Sequence, residues 1–194
     1  MQKLTAEDLM SLESYHRRRS SFRRTVMAHK ANRKVAIGSH ATLYFEDRLT
    51  VHYQIQEMLR VERIFESEAI QQELDVYNPM IPDGDNWMAT FMIEYVDEAE
   101  RHIALERMVG IEDRVWVQIG ELERVWAIAD EDLQRTKETK TSAVHFLRFQ
   151  LSGDRVRQAK AGAAIGVGID HSAYNHREQP LGEAIRAALV VDLG

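Results

Sequence analysis

Apolar residues recur with two different periods along this chain, and the alternation between the two periods limits the folds it can adopt. Every second residue is apolar in three segments, as in half-buried β-strands: 41–46, 87–95 and 142–151. Residues 49–74 instead repeat apolar side chains at the spacing of an amphipathic helix. Because hairpins and separate helices are interleaved, we predict an α+β fold in which a mainly antiparallel sheet packs with one long central helix and several shorter helices.

Turn and capping residues divide the chain into further elements. Hairpins are predicted at 34–46 and 114–128. Shorter helices are predicted at 5–16, 20–31, 97–110, 154–161 and 182–190, a loop at 77–84, a polar connector through Lys140 and a strand of small residues at 163–169. A chain of 194 residues fits one domain, in which residues 1–34 form a basic helical segment packed on, or extending from, an α+β body of residues 35–194.

Charge is distributed unevenly along the chain. Residues 16–34 contain eight lysines and arginines and no acidic residue, whereas residues 1–15 sum to −2. Since the net charge is −6, residues 35–194 carry −12. The basic segment suits nucleic acid, an acidic partner protein, or the acidic remainder of the same chain, and the last is the ordinary interpretation.

The chain contains no cysteine, which excludes disulfides, thiolate nucleophiles, zinc fingers and cysteine-ligated iron–sulfur clusters. Any metal, whether a divalent or an iron-type ion, would need histidine or carboxylate ligands. We find no signal peptide and no membrane-spanning apolar run, so the expected location is the cytoplasm. Phosphate-binding loops and nucleophile elbows are also absent from the sequence.

Glu62 is the most unusual residue of the predicted long helix. Helical projection places it near the centre of the apolar stripe, between Ile55 and Phe65. A buried, unpaired carboxylate costs several kcal/mol, so the pattern predicts an ion pair, a metal ion or a bound proton at this position. A structural ion pair, or a stripe exposed at that turn, is the simpler interpretation.

Ionisable side chains also cluster after the strand of small residues. Asp170, His171, Tyr174 and His176 lie within seven residues. Two histidines with a carboxylate can ligate a metal or form an acid/base pair, because imidazole titrates near neutral pH. A hydrogen-bonded turn explains the same residues. His145 alternates with apolar residues, which predicts a core histidine bonded to backbone.

Five segments spread over nearly the whole chain resemble the bacterial family catalogued as domain of unknown function 3501: Phe45–Ile64, Glu73–Pro79, Ala89–Tyr95, Thr141–Phe149 and Gly168–Tyr174. Members of that family are often encoded beside rubrerythrin-like di-iron proteins and an iron–sulfur oxidoreductase, so the resemblance implies a role in redox or peroxide chemistry. It transfers no catalytic residue. The matching motifs do contain Glu62, Asp170, His171 and Tyr174, together with Gln56, Glu57, Arg60 and Arg63, whereas His176 lies outside them.

Three functions follow as hypotheses. The first is a non-catalytic accessory protein that docks on a rubrerythrin-like or iron–sulfur redox partner through its basic helix and acidic body. The second is a metalloprotein or metalloenzyme that uses His171, His176 and Asp170, joined by Glu62. The third is a nucleic-acid-binding protein that uses Arg17 to Lys34, although Phe22 is the only aromatic residue there to stack on a base. The sequence leaves a homodimer open.

Overall fold

The computed structural model describes residues 2–129 and 140–194, in which two antiparallel sheets pack face to face. Sheet A has five strands in the order β1, β2, β3, β7, β6. Their bounds are Lys34–Ile37, Ala41–Glu46, Asn86–Ile93, Val144–Gln150 and Ile128–Ala129, respectively. Sheet B has four strands in the order β5, β4, β8, β9. Their bounds are Val125–Trp126, Val115–Ile119, Ile165–His171 and Tyr174–Glu178. The predicted α+β fold with mainly antiparallel sheets is confirmed.

The main core lies between the two sheets. Alternation along β2 and β3 directs Leu43, Phe45 and Phe91 to the same face, and all three are at most 1% exposed. Sheet B contributes Val117 and Val167, which are paired across β4 and β8 and completely buried. Each such side chain contributes about 1.5–3 kcal/mol when it is withdrawn from water, so the alternation fixes which face of each sheet points inward.

Six α-helices of the described residues pack around the two sheets. They are α1 (Leu12–Lys30), α2 (Arg48–Glu62), α3 (Ser67–Tyr77), α4 (Glu98–Arg107), α5 (Gly153–Lys160) and α6 (Glu183–Val190). A second core joins α2 and α3 to the outer face of sheet A through Val51, Ile55, Leu74 and Met88. Across the described ranges, no helix combines the length and the hydropathy that a membrane span requires.

The predicted long helix 49–74 is two helices, α2 and α3. The chain turns at Arg63, whose left-handed φ of 56° ends α2, and the next helix begins at Ser67. The apolar stripe is buried at Val51, Ile55 and Leu59 but does not continue past the turn, where Phe65 is 70% exposed. Glu62 is therefore exposed in the last turn of α2, as the simpler interpretation of the pattern has it, and the alternative of a buried carboxylate is wrong.

The N-terminal segment also differs from its prediction. The capping residues Thr5 and Asp8 enclose a short 3-10 turn instead of starting a helix, and one continuous helix, α1, replaces the two predicted ones. Ser11 is its N-cap and accepts a hydrogen bond from the Ser14 amide. Helix α1 packs along α2 and is the longest helix of the described residues.

The predicted second hairpin is shorter than expected, whereas the residues at 170–176, expected as a turn after the strand, are mostly strand. After β5 pairs with β4, the chain crosses to sheet A, where β6 pairs with β7. Strand β8 continues through His171, and a tight turn at residues 172–173 returns the chain as β9. The polar connector before Lys140 falls largely in 130–139, outside the described residues.

Candidate functional site

Glu57 and Gln56 fasten the N-terminal segment to α2. The Glu57 carboxylate accepts hydrogen bonds from Nε and Nη2 of Arg19 at 2.7 and 2.8 Å and from the Tyr15 hydroxyl at 2.5 Å. The bonds from Arg19 lower the pKa of Glu57 to about 2, while burial and the adjacent carboxylate raise the pKa of Tyr15. The completely buried Gln56 amide accepts from the Met10 N–H at 2.6 Å and donates to the Met10 carbonyl at 3.2 Å.

The other charged residues of the same motif lie at the surface. Arg60 is exposed, with one guanidinium nitrogen 3.4 Å from the Glu57 carboxylate. Arg63 provides the left-handed residue that ends α2, and Glu62 precedes it on the exposed turn. The motif therefore holds α1 against α2 and ends a helix, both of which are structural tasks.

Asp170 lies on the outer face of sheet B, among arginines. Its Oδ2 atom is 3.3 Å from Arg124 and 3.7 Å from Arg114, and its Oδ1 atom accepts a hydrogen bond from Asn175 at 3.0 Å. The neighbouring residue of β8, Ile169, points into the core between the sheets. Helix α2 covers the outer face of the opposite sheet, so Glu62 and Asp170 lie on opposite sides of the sandwich.

His171 is bonded at both ring nitrogens. Nε2 lies 3.2 Å from the Val109 carbonyl oxygen, and Nδ1 lies 3.2 Å from the Ala173 amide nitrogen. Because a carbonyl only accepts and an amide N–H only donates, these contacts suit a neutral ring with its proton on Nε2. This histidine closes the β8–β9 hairpin and ties it to the residues after α4.

Tyr174 and His176 contact the β1–β2 turn. The Tyr174 hydroxyl donates to the Ile37 carbonyl at 2.7 Å and accepts from the His40 amide at 2.9 Å. The His176 ring lies 4.5 Å from the Tyr174 ring and packs beside Gly38. A Cβ atom at Gly38 would lie 2.5 Å from the Tyr174 hydroxyl oxygen, and the φ of +69° also favours glycine there. Tyr174 thus joins the edges of the two sheets.

The predicted metal ligands are not brought together. Asp170 faces the arginines, His171 faces Val109, and His176 faces the β1–β2 turn. Within residues 2–129 and 140–194, no three histidine, aspartate or glutamate side chains are grouped as a metal ion would require.

His145 belongs to a buried polar cluster in the main core. Its side chain is completely buried, and Nε2 lies 2.8 Å from the Thr141 hydroxyl and 3.1 Å from the Ser142 carbonyl. The Thr141 hydroxyl is also 3.0 Å from Glu112, whose carboxylate is 3.8 Å from the imidazole. The histidine is buried and bonded to backbone, as the alternation of its strand predicts.

The sequence interpretation missed an arginine and tryptophan cluster beside Asp170. The Arg124 guanidinium lies 4.3 Å from the centre of the Trp116 ring, and Arg114 lies 5.1 Å from that of Trp126. Trp116 in turn covers Gly168, where a Cβ atom would come within 2.3 Å of the indole. The sequence does contain a feature that predicts this cluster: Arg-Val-Trp occurs twice, at 114–116 and 124–126. The two copies lie on strands that pair Trp116 with Trp126.

The basic segment is divided between internal and exposed cations. Arg33 is buried against Asp192, and the partly exposed Arg19 is paired with Glu57. Arg18, Arg23 and Arg24 are exposed on α1 and form no ion pair with any residue in the described ranges. The sequence could place these arginines on a helix, but the pattern did not distinguish those that fix the fold from those that face solvent.

Comparison with known proteins identifies relatives without a described activity. A family model named "Protein of unknown function (DUF3501)" matches residues 3–193. The crystal structure of a novel protein of unknown function from Burkholderia pseudomallei K96243, at 1.90 Å resolution, is similar over 100% of both chains, with 46% sequence identity and a TM-score of 0.95. No curated protein matches the chain. The chain therefore belongs to the DUF3501 family.

Proposed function

We propose that this protein is a non-catalytic accessory protein that docks on an acidic redox partner through the exposed basic face of α1. The observation that carries the proposal is the set of three exposed arginines, Arg18, Arg23 and Arg24, that have no ionic partner in the described residues.

The surface is rigidly presented. Tyr15 and Val26 of α1 are completely buried, and the Arg19–Glu57 pair holds the middle of the helix. The exposed arginines therefore project from a helix whose orientation is already fixed. Less conformational entropy is lost when a partner binds such a surface than when it binds a free helix.

The partner is expected to be acidic because the exposed arginines are all cationic and form no ion pair within the described protein. Opposite charge accelerates association and selects the partner, and the effect weakens as salt screens the surface. Residues 35–194 carry −12, so a second copy of the chain is itself a competing acidic surface. A homodimer is for this reason an outcome of the experiment below.

A protein partner is favoured over nucleic acid by the position of Phe22. Its ring packs 5.3 Å from His52 and 6.1 Å from Tyr53, at the interface between α1 and α2. An aromatic ring used in this way is not free to stack on a nucleobase. The resemblance to a family encoded beside rubrerythrin-like and iron–sulfur proteins supports a redox partner.

The test measures binding of the full chain to a rubrerythrin-like di-iron protein and to an iron–sulfur oxidoreductase from the same organism. Charge reversal at three positions, Arg18→Glu, Arg23→Glu and Arg24→Glu, should weaken binding by about tenfold or more. The matched control reverses three exposed arginines elsewhere, Arg107, Arg157 and Arg177, and changes the net charge equally. Isothermal titration calorimetry at two salt concentrations supplies both affinities.

The proposal is supported if the α1 variant loses affinity, the control variant retains it, and wild-type binding weakens with salt. It fails if neither redox protein binds, or if both variants are affected alike. Gel retardation of duplex DNA by the wild type, abolished in the α1 variant, would assign the face to nucleic acid. If light scattering shows that the wild type and the control variant are dimers and the α1 variant is a monomer, the arginines of α1 bind a second copy of the chain.

A further inference from the structure

We infer that the cavity between the outer face of sheet A and α2 binds a small molecule that has an apolar body and a carboxylate group. The cavity has a volume of about 350 Å³. This volume is within the range of small-molecule sites, which are about 300–1,000 Å³. None of the three docking arginines lines this cavity, so a ligand here would add to the proposed function.

The walls of the cavity come from separate elements of the fold. Sheet A contributes Tyr44 and Met92 from its outer face, and the chain after α2 contributes Tyr77 and Met80. Thioether side chains adapt their shape to an apolar ligand, and phenol rings offer it a flat, rigid surface. The lining is therefore suited to the apolar part of a ligand. The few polar groups of the lining would determine how that ligand is oriented.

Lys30 supplies the positive charge of the lining. Its side chain is half-buried, and its ammonium group forms no hydrogen bond or ion pair with the described residues. The last turn of a helix stabilises a lysine, which accounts for its presence at the end of α1. The helix does not account for an unpartnered ammonium at the edge of an apolar cavity, where a ligand anion would give it a partner.

Glu46 restricts the kind of anion that fits. One of its carboxylate oxygens accepts a hydrogen bond from the Thr90 hydroxyl at 2.8 Å, which fixes it on the cavity wall. A phosphate dianion generally needs several donors or an arginine fork. Here the lining contains one lysine and one glutamate among mainly apolar side chains, so a monoanionic carboxylate is the better match.

The experiment uses the full chain and three probes with the same apolar body: 3-phenylpropanoate, 3-phenylpropan-1-ol and 3-phenylpropylamine. We expect 3-phenylpropanoate to bind most tightly by calorimetry and to shift the amide resonances of Tyr44 and Met92. Lys30→Met should weaken its binding about tenfold or more, because a charged hydrogen bond is lost, and should leave the weak binding of the alcohol unchanged. Lys160→Met, which removes the same charge from a residue outside the cavity lining, is the charge-matched control.

A cavity-filling variant separates this site from non-specific binding. Met92→Trp should abolish binding of all three probes, and Val144→Phe serves the same purpose if Met92→Trp does not fold by circular dichroism. The inference is overturned if no probe binds, if the amine binds as tightly as the carboxylate, or if Lys30→Met and Lys160→Met behave alike. The arginine variants of α1 test docking separately, since Lys30 is not among them.

Discussion

Arg33 holds a positive charge almost completely out of water. Its side chain is 3% exposed and donates hydrogen bonds to the two carboxylate oxygens of Asp192, at 2.8 and 2.7 Å. A third hydrogen bond reaches the Ala188 carbonyl, and Nε lies 3.1 Å from Asp47. Desolvation, the main cause, raises the pKa of Asp192. The pair joins the end of the basic segment to the residues after α6.

Replacing Asp192 tests how strongly this charge depends on its partner. Asp192→Asn leaves the buried guanidinium with Asp47 as its remaining anion and should lower the free energy of unfolding by about 3–5 kcal/mol. Asp154→Asn, which removes an exposed carboxylate paired with Arg157, should change it by less than about 0.5 kcal/mol. Urea unfolding measures both. Equal effects of the two substitutions would contradict the structural role given to the buried pair.

Glu57 makes the free energy of unfolding depend on pH in the acidic range. Its pKa of about 2 in the folded protein is below the ordinary value of 4.5, so the stabilisation is complete above pH 4.5 and is lost as the pH falls toward 2. Because the Arg19 side chain is 36% exposed, we expect only about 1–2 kcal/mol from this pair. Urea unfolding measured between pH 2 and 6 should show that the free energy of unfolding changes less with pH in Glu57→Gln than in the wild type. The same pH dependence in both proteins would show that other carboxylates control the loss of stability in acid.

At the scale of the elements, the turn between α2 and α3 has the largest effect on the predicted site. It contains no proline or glycine, and its position is fixed by the left-handed conformation of Arg63. For an L-residue this conformation costs about 1–2 kcal/mol, whereas glycine adopts it freely. The cost is met by packing of α3 against α2 and against the turn near the N-terminus.

Arg63→Gly should therefore increase the free energy of unfolding, by about 0.5–1 kcal/mol after the greater freedom of the unfolded glycine is included. Arg60→Gly is the matched control, since it removes the same side chain from inside α2 and should lower stability by about 1 kcal/mol. Thermal unfolding of both variants would detect the opposite signs. A loss of stability in both would mean that the Arg63 side chain matters more than its backbone.

The same turn shows where sequence reasoning succeeds and fails. Alternation correctly identifies β2, β3 and β7, because burial of one sheet face leaves a direct mark on the order of residues. Helical periodicity continues through Arg63 as if no turn were there, so Glu62 is wrongly projected into the core. The Asp170–His176 residues are adjacent in sequence, but a hairpin sends neighbouring side chains to opposite faces. Sequence proximity therefore does not make them a site.

At the scale of the whole molecule, the N-terminal segment is integrated with the body. Leu4 belongs to the core formed with α2 and α3, Val26 is completely buried, and Arg33 is the partner of Asp192. Removal of residues 1–34 would expose that core and leave a buried carboxylate without its cation. The predicted boundary at residue 34 therefore separates two regions of different charge that stabilise each other.

Residues 35–194 alone should not form a stable native domain. We expect the truncated protein to lose near-UV circular dichroism and cooperative thermal unfolding, both of which the full chain should show. Adding the separate peptide 1–34 in excess should restore part of the signal if its contacts are sufficient. Cooperative unfolding of the truncated protein near the temperature of the full chain would contradict the interdependence inferred from Arg33.

The two members of the buried pair are separated by 159 residues in sequence. At about 5–20 residues per second, the ribosome takes about 8 to 30 s to add that many residues after it has made Arg33. During this interval the guanidinium cannot enter its final environment. Arg33 must therefore stay solvated, or pair with Asp47 alone, until Asp192 has been synthesised, although Arg19 of the basic helix can already pair with Glu57.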